Sequence, residues 1–219
     1  MTEAKKLLTT YGIAALIALL VAVFLRHTLV ESFRVPTTVM KPTLLPGDLI
    51  FVTKYDYGWP IPWSDSKFPA SWKPNFGDVV VYQSDAGGAF YVKRVVAASG
   101  DEVAIEGGQL IVNGNPLPFV PGQSENCGIE KNPRAEYPIC IEPPQLVRLD
   151  PLKIPENHLF VIGDFRTKTP ERPSWEVIPD VSVIGRARWI WISIDKTPGS
   201  PTDGPFPMFR TNRFFRRIR

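Results

Sequence analysis

The sequence is poor in the residues from which metal sites and disulfide frameworks are built. Its 219 residues include two cysteines and two histidines, too few for a multi-cysteine zinc module or a dense disulfide scaffold. It contains no G-x-x-x-x-G-K-[ST], no G-x-G-x-x-G, no G-x-S-x-G and no H-E-x-x-H. Nothing therefore points to a phosphate cradle, a dinucleotide site, a nucleophile elbow or a zinc helix, and neither a cofactor nor a metal is expected. Charge of one sign is also scarce. Lys and Arg number 25 against 22 Asp and Glu, a formal net charge of +3. A nucleic-acid binder usually carries a larger excess, so no nucleic-acid partner is expected. The basicity is local: Arg210, Arg213, Arg216, Arg217 and Arg219 crowd the last ten residues with no acid among them. Proline-free stretches are few, because 23 prolines are spread over the chain. Each removes a backbone donor and breaks a helix interior, which excludes long helices outside such a stretch.

One proline-free stretch is apolar. Leu7 to Leu25 is interrupted only by Thr9, Thr10 and Tyr11, and Gly12 to Leu25 is unbroken. About 20 apolar residues span a bilayer as a helix. Lys5 and Lys6 precede the run, Arg26 and His27 follow it, and no small-x-small cleavage site comes after Leu25. A retained single-pass anchor is therefore expected rather than a cleaved signal peptide or a buried core helix. Lys5 and Lys6 favour an inside N-terminus, although Arg26 and Arg34 dilute the bias. With that orientation the chain sits in the cytoplasmic (inner) membrane, in contact with lipid, and its bulk lies on the extracytoplasmic side.

The remainder reads as β. Asp48–Thr53, Gly77–Tyr82, Tyr91–Val96, Val103–Ile105, Gln109–Val112, Leu159–Ile162 and Ala187–Ile194 are short apolar or alternating runs bounded by Gly, Asp and Pro. Such runs suggest an antiparallel sheet system, and no strand–helix alternation suggests a parallel α/β fold. The expected organisation is an anchor over residues 1–27, an extracytoplasmic β-rich domain over 28–205 and a basic C-terminal tail over 206–219. Within the domain, the proline-rich, polar stretch 122–144 reads as an irregular insertion loop. Cys127 and Cys140 flank that loop, and outside the cytoplasm they are candidates for a disulfide. The tail reads either as a solvated, frayed end or as a contact for anionic headgroups. Trp59, Trp63 and Trp72 suit either a membrane interface or ordinary loop packing.

Among residues that carry chemistry, His158 beside Leu159–Ile162 reads as a structural histidine rather than a base. Lys93 is more informative. Period-two alternation places it on one face of a strand with Tyr91 and Val95. A lysine on an apolar face loses solvation, which penalises the charged form, and a neutral amine can accept a proton. Taken alone, a snorkelling lysine on a sheet face is the commoner explanation.

The segment Pro36-Thr-Thr-Val-Met-Lys-Pro-Thr-Leu44, followed by Gly47-Asp48, changes that balance. It resembles P-S-x-S-M-x-P-T-L…G-D of the bacterial type I signal peptidase (leader peptidase) family, membrane-bound serine–lysine endopeptidases. Tyr57-Gly58, Gly77-Asp-Val-Val80, Tyr91-Val-Lys-Arg-Val-Val96 with Gly100-Asp101, Gly163-Asp-Phe-Arg166, Gly185-Arg-Ala187 and Trp189–Asp195 follow in the family's order. The resemblance implies an N-terminal transmembrane helix followed by an antiparallel, barrel-like β domain. It also implies removal of signal peptides from exported preproteins, which carry small residues one and three positions before the cut. Lys93 matches the general base, Thr37 the hydroxyl that helps stabilise the oxyanion, and Thr169 the serine that orients the lysine. Asp164 and Arg166 match structural charges. No substrate-binding residue is singled out.

The nucleophilic serine falls on Val39, and Pro36, Met40, Pro42 and Thr43 fix that register. Valine cannot form the acyl-enzyme. If the segment is extended, Thr37 lies about 6.5 Å along the strand from position 39 and Thr38 points to the other face. The later segment is altered as well, with Glu171 and Pro173 where the family has Asp and Arg, and Thr167-Lys168 in place of Asp-Asn. The first expectation is a family member with lost or weakened catalysis that still binds signal peptides, alongside an active paralogue. The alternatives are an active endopeptidase using Thr37 or Thr38, and a non-catalytic envelope scaffold or interaction protein.

Overall fold

A computed structural model describes residues 3–60, 67–68, 73–84, 88–124, 126–132, 134–142, 147–167, 174–195 and 208–219. The chain opens with a 27-residue helix, α1 (Glu3–Leu29), in the stretch where proline is absent. Its side chains are described at Leu7, at residues 9–21 and at Leu29; all but half-buried Leu29 are exposed. Among the described residues, no helix is long and apolar enough to cross a membrane.

All the rest is mainly β. One sheet runs in the order β1 (Val30–Arg34), β2 (Asp48–Thr53), β17 (Val183–Asp195), β5 (Val79–Gln83), β6 (Phe90–Ala98), β14 (His158–Ile162) and β16 (Trp175–Pro179). Every one of these pairings is antiparallel. The short strands β18 (Met208–Phe209) and β19 (Arg216–Arg217) join it along β17. A second sheet has the order β10 (Phe119–Pro121), β11 (Cys127–Asn132), β12 (Ala135–Glu142) and β15 (Phe165–Thr167). A third has β13 (Leu149–Lys153), β7 (Glu102–Glu106), β8 (Gln109–Val112) and β9 (Asn115–Pro116), and β3 (Trp59–Pro60) pairs with β4 (Lys67–Phe68). The runs read as strands are strands, because each buries apolar side chains, and β5 buries them on both of its faces. Val79 and Val81 pack with Val35, Met40 and Ile50, whereas Val80 and Tyr82 pack with Val95 and Val161.

The stretch 122–144, expected to be irregular, contains the hairpin β11–β12. Its prolines misled the reading, and the register explains why they are tolerated. Cys140 donates its N–H to Asp164 O at 2.8 Å, away from β11. Two residues earlier, Pro138 points to that same side, and β15 pairs only from Cys140 onward. No ladder partner there requires the missing N–H. Cys127 lies opposite Cys140 in a pair without mutual backbone bonds, where side chains approach most closely. The two form a disulfide with Cα atoms 4.1 Å apart. Closing a loop of this size is worth about 3 kcal/mol in the chain-entropy account.

The arginines near the C-terminus are integrated into the domain. Arg213 is buried and donates to Asp48 Oδ2 at 2.6 Å and to Thr43 O at 2.9 Å. Arg210 reaches Asp195 at 3.1 Å and Pro46 O at 3.1 Å, and Ile218 lies in the core with Val35 and Met40. The chain end therefore braces the turn over residues 43–48. The solvated end expected from composition is confined to residues such as Phe215, Arg216 and Arg217, which are exposed. Of the aromatic segment, Trp63, Trp72 and the side chain of Trp59 lie outside the described residues.

Candidate functional site

Residues 35–47 connect β1 to β2 and fold as bends and turns rather than as an extended strand. Lys41 N–H donates to Thr38 O at 2.9 Å and Leu44 N–H to Met40 O at 2.8 Å. The extended spacing assumed above for Thr37 and Val39 thus does not apply. Three ties hold the segment. Val35 and Asp48 bond through Val35 N and Asp48 O at 2.8 Å. Gly47 adopts a φ of 90°, and a Cβ there would fall 1.9 Å from Ile194 O, so only glycine fits. Val39 O accepts from Phe165 N at 2.9 Å, which fixes position 39 against the turn between β14 and β15.

Gly163 permits that contact. A Cβ on Gly163 would lie 2.5 Å from Val39 Cγ1 and 2.5 Å from its carbonyl oxygen. The backbone oxygen cannot swing away as a side chain can. Gly163→Ala is therefore expected to cost about 1–3 kcal/mol, the range for overpacking, and to lift Val39 from its seat. An equilibrium urea titration measures the cost, and an unchanged midpoint would mean that the two segments are not in contact.

Lys93 lies in β6 opposite Val80 of β5, with 8% of its surface exposed. Tyr91 and Val95 share its face, packed with Val80 and Tyr82. Lys93, Val39 and Thr37 wall one cavity of about 370 Å³. Its other walls are largely apolar and include Met40, Val81, Phe90 and Trp175. Thr38 faces a different depression, with Lys41 and Leu45. Thr169 lies outside the described residues. His158 does not line the cavity; its Nδ1 lies 2.7 Å from Glu156 O.

Asp164 and Arg166 are buried in two ion pairs. Arg94 grips Asp164 with Nε–Oδ1 at 2.7 Å and Nη2–Oδ2 at 2.6 Å, and Thr43 donates its hydroxyl to the same carboxylate. Arg166 grips Glu130 at 2.8 and 2.6 Å. Tyr137 lies between the pairs, donating its hydroxyl to Glu130 at 2.7 Å while its ring lies 4.1 Å beneath the Arg94 guanidinium. Desolvation pulls both guanidinium groups down, but the charges and hydrogen bonds of Asp164 and Glu130 raise them overall. Burial, then the Glu130 charge, pushes the Tyr137 phenol well up, so it serves Glu130 as a neutral donor. These pairs link the Val39 turn to the second sheet.

Sequence reasoning missed Glu176. It lines the cavity and its Oε2 lies 3.4 Å from Lys93 Nζ and 2.6 Å from the donating Tyr82 hydroxyl. The available signal was a carboxylate in the alternating run Trp175–Pro179, but its facing partner depends on strand order. Among the described residues no group of three or more His, Cys, Asp or Glu side chains is arranged to hold a metal.

A family model described as "Signal peptidase, peptidase S26" matches residues 8–192. Signal peptidase I of Pseudomonas fluorescens is 32% identical over 212 residues, covering 86% of this chain and 74% of its own length. Thylakoidal processing peptidase 1 of Arabidopsis thaliana is 26% identical, covering 80% of this chain and 45% of its own. A solved signal peptidase I from Enterococcus faecalis overlays with a TM-score of 0.33 at 22% identity, covering 52% of this chain and 96% of that one. With the family model matched over most of its length and a relative at 32% identity, this chain belongs to the signal peptidase, peptidase S26, family.

Proposed function

We propose that this protein binds signal peptides of exported preproteins without cleaving them efficiently. The observation that carries the reading is the pairing of Lys93 with Val39 in the wall of one cavity. In the family's reaction the hydroxyl proton at position 39 passes to the lysine amine. The oxygen bonds to the scissile carbonyl carbon, and the C–N bond then breaks as the leaving amine takes the proton, leaving an acyl-enzyme for water to hydrolyse. Val39 offers methyl groups where that oxygen is needed. The cavity itself is intact, apolar and edged by β1, where an extended peptide can add as a strand. Thr37 keeps a hydroxyl in the cavity wall for an oxyanion role, and Thr169 is assigned the lysine-orienting role from the family pattern.

The same reading places the bulk of the chain outside the inner membrane, anchored by α1. Leu7, Ile13, Leu16, Ile17, Leu19, Leu20 and Val21 are all at least half exposed, and a stripe of that kind needs an apolar cover. The sequence extends it through Ala22, Val23, Phe24 and Leu25. A helix of 27 residues is about 40 Å long, which exceeds a bilayer core of about 30 Å; its described residues alone do not make an apolar span, and the reading rests on the sequence of the whole run.

The full chain in detergent is expected to bind a synthetic signal peptide with small residues one and three positions before the cut, and to leave it whole. Val39→Ser is expected to introduce cleavage, read at alkaline pH, that Lys93→Ala abolishes. A second reading has one observation in its favour: Thr37 shares the Lys93 cavity on a turned, not extended, segment. Cleavage by the unmodified chain that Thr37→Val and Lys93→Ala each remove would establish it. Absence of peptide binding would favour a scaffold that meets another envelope protein.

A further inference from the structure

Glu176 has a place in the cavity that the family reaction does not require. Its carboxylate is held from β5 by the hydroxyl of Tyr82, a residue with 0% exposure. Backbone register holds it from β14, where Glu176 lies opposite Val161. So fixed, Oε2 lies 3.4 Å from Lys93 Nζ, and the lysine side chain is 10% exposed. A carboxylate in contact with a poorly solvated amine favours the ammonium form. An ammonium has three donors and no lone pair, so it cannot receive a hydroxyl proton.

Other charged or titratable groups lie around Lys93 among the described residues. Tyr82 on β5 is engaged as a donor to Glu176. Tyr91 on β6 is half-buried. Arg34 at the end of β1 is a like charge in the cavity wall, but it is exposed and its field is screened by solvent. Farther along β17, Arg186 is paired with Asp78 at 2.8 Å. The Glu176 carboxylate, at 3.4 Å, is in direct contact with the Lys93 amine.

We infer that Glu176 is a positioning residue acting through Lys93, holding it as a fixed ammonium, and that this is a second block on hydrolysis independent of Val39. The inference rests on the reading of Lys93 as the family's base. Its consequence is that a hydroxyl at position 39 alone restores cleavage only where alkali frees the amine, and that removing the carboxylate moves that activity toward neutral pH.

Two measurements on the full chain in detergent test it. The first follows the Lys93 side-chain signal by NMR during a pH titration, in the native chain and in Glu176→Gln. The amide is isosteric and 39% of the Glu176 side chain is exposed, so the variant is expected to fold; Glu176→Ala provides a second version. The protonation midpoint of Lys93 is expected to fall by at least one pH unit, a tenfold change in the ammonium-to-amine ratio. A midpoint that does not move overturns the inference. The second compares signal-peptide cleavage by Val39→Ser and by Val39→Ser/Glu176→Gln across pH. The double variant is expected to be at least tenfold faster at neutral pH, with its profile displaced to lower pH. Equal rates and profiles, zero rates included, overturn Glu176 as a block. Peptide binding by the native chain is scored separately. Its loss beside a moving midpoint would sink the proposed binding function alone, and its presence beside a fixed midpoint would sink this inference alone.

Discussion

Arg94→Ala is expected to destabilise the domain by about 3–5 kcal/mol, the cost of leaving one member of a buried ion pair behind. Arg94 is 0% exposed, and its three nitrogens are all committed. Nε and Nη2 hold Asp164, and Nη1 donates to Gly77 O at 2.7 Å and to Arg219 O at 3.0 Å. Removing the guanidinium strands the Asp164 carboxylate, at 1% exposure, with the Thr43 hydroxyl as its remaining side-chain donor. The loss should reach further than stability. Asp164 precedes Phe165, whose N–H fixes Val39, and Arg219 ends the segment that braces the turn over residues 43–48. Equilibrium urea unfolding of the full chain in detergent measures the cost. Adding Asp164→Asn to Arg94→Ala distinguishes the causes, because in that background it removes the stranded charge but keeps the shape. The double variant should recover much of the loss if the orphaned carboxylate is the main penalty, and little of it if lost guanidinium packing over Tyr137 dominates.

This network was nearly illegible in the sequence, and the reason is physical. Periodicity reports which face of a strand is buried, because each strand carries its own alternation. Asp48–Thr53 and Tyr91–Val96 were readable for that reason. Alternation does not report which strand lies alongside. Arg94 and Asp164 are 70 positions apart and Arg213 and Asp48 are 165 apart, so each looks like an isolated charge until the strand order is known. The same limit hid Glu176, whose meaning depends on β16 facing β6 across β14. It also made the C-terminal arginines look like a loose basic end, since Asp48 and Asp195 are remote in sequence. The β11–β12 hairpin was missed differently: Pro138 signals an interruption unless its missing N–H is known to point to an unpartnered side. That Val39, Thr37 and Lys93 wall one cavity could be anticipated because the family pattern carries strand order implicitly, which composition and period do not.

The second large effect is expected at Arg166, and it separates burial from pairing. Arg166→Met leaves Glu130, at 1% exposure, as an uncompensated buried charge and should also cost about 3–5 kcal/mol. It additionally withdraws the bond from Nη1 to Gly108 O at 2.9 Å. Unlike Arg94, Arg166 already leaves one buried nitrogen, Nε, without a hydrogen-bond partner, so its environment is less well matched to a guanidinium. Adding Glu130→Leu to Arg166→Met should therefore recover most of the loss, because the stranded carboxylate disappears. Recovery should remain incomplete, since the Tyr137 hydroxyl loses its acceptor and an unpaired buried hydroxyl costs about 1–3 kcal/mol. Tyr137→Phe in that background should remove this residue of the penalty, although in the native chain it should destabilise. A triple variant no more stable than Arg166→Met would show that the ion pair holds the second sheet in register and that hydrophobic volume cannot replace it. A triple variant near native stability would show that the pair contributes no net stability that apolar volume cannot replace.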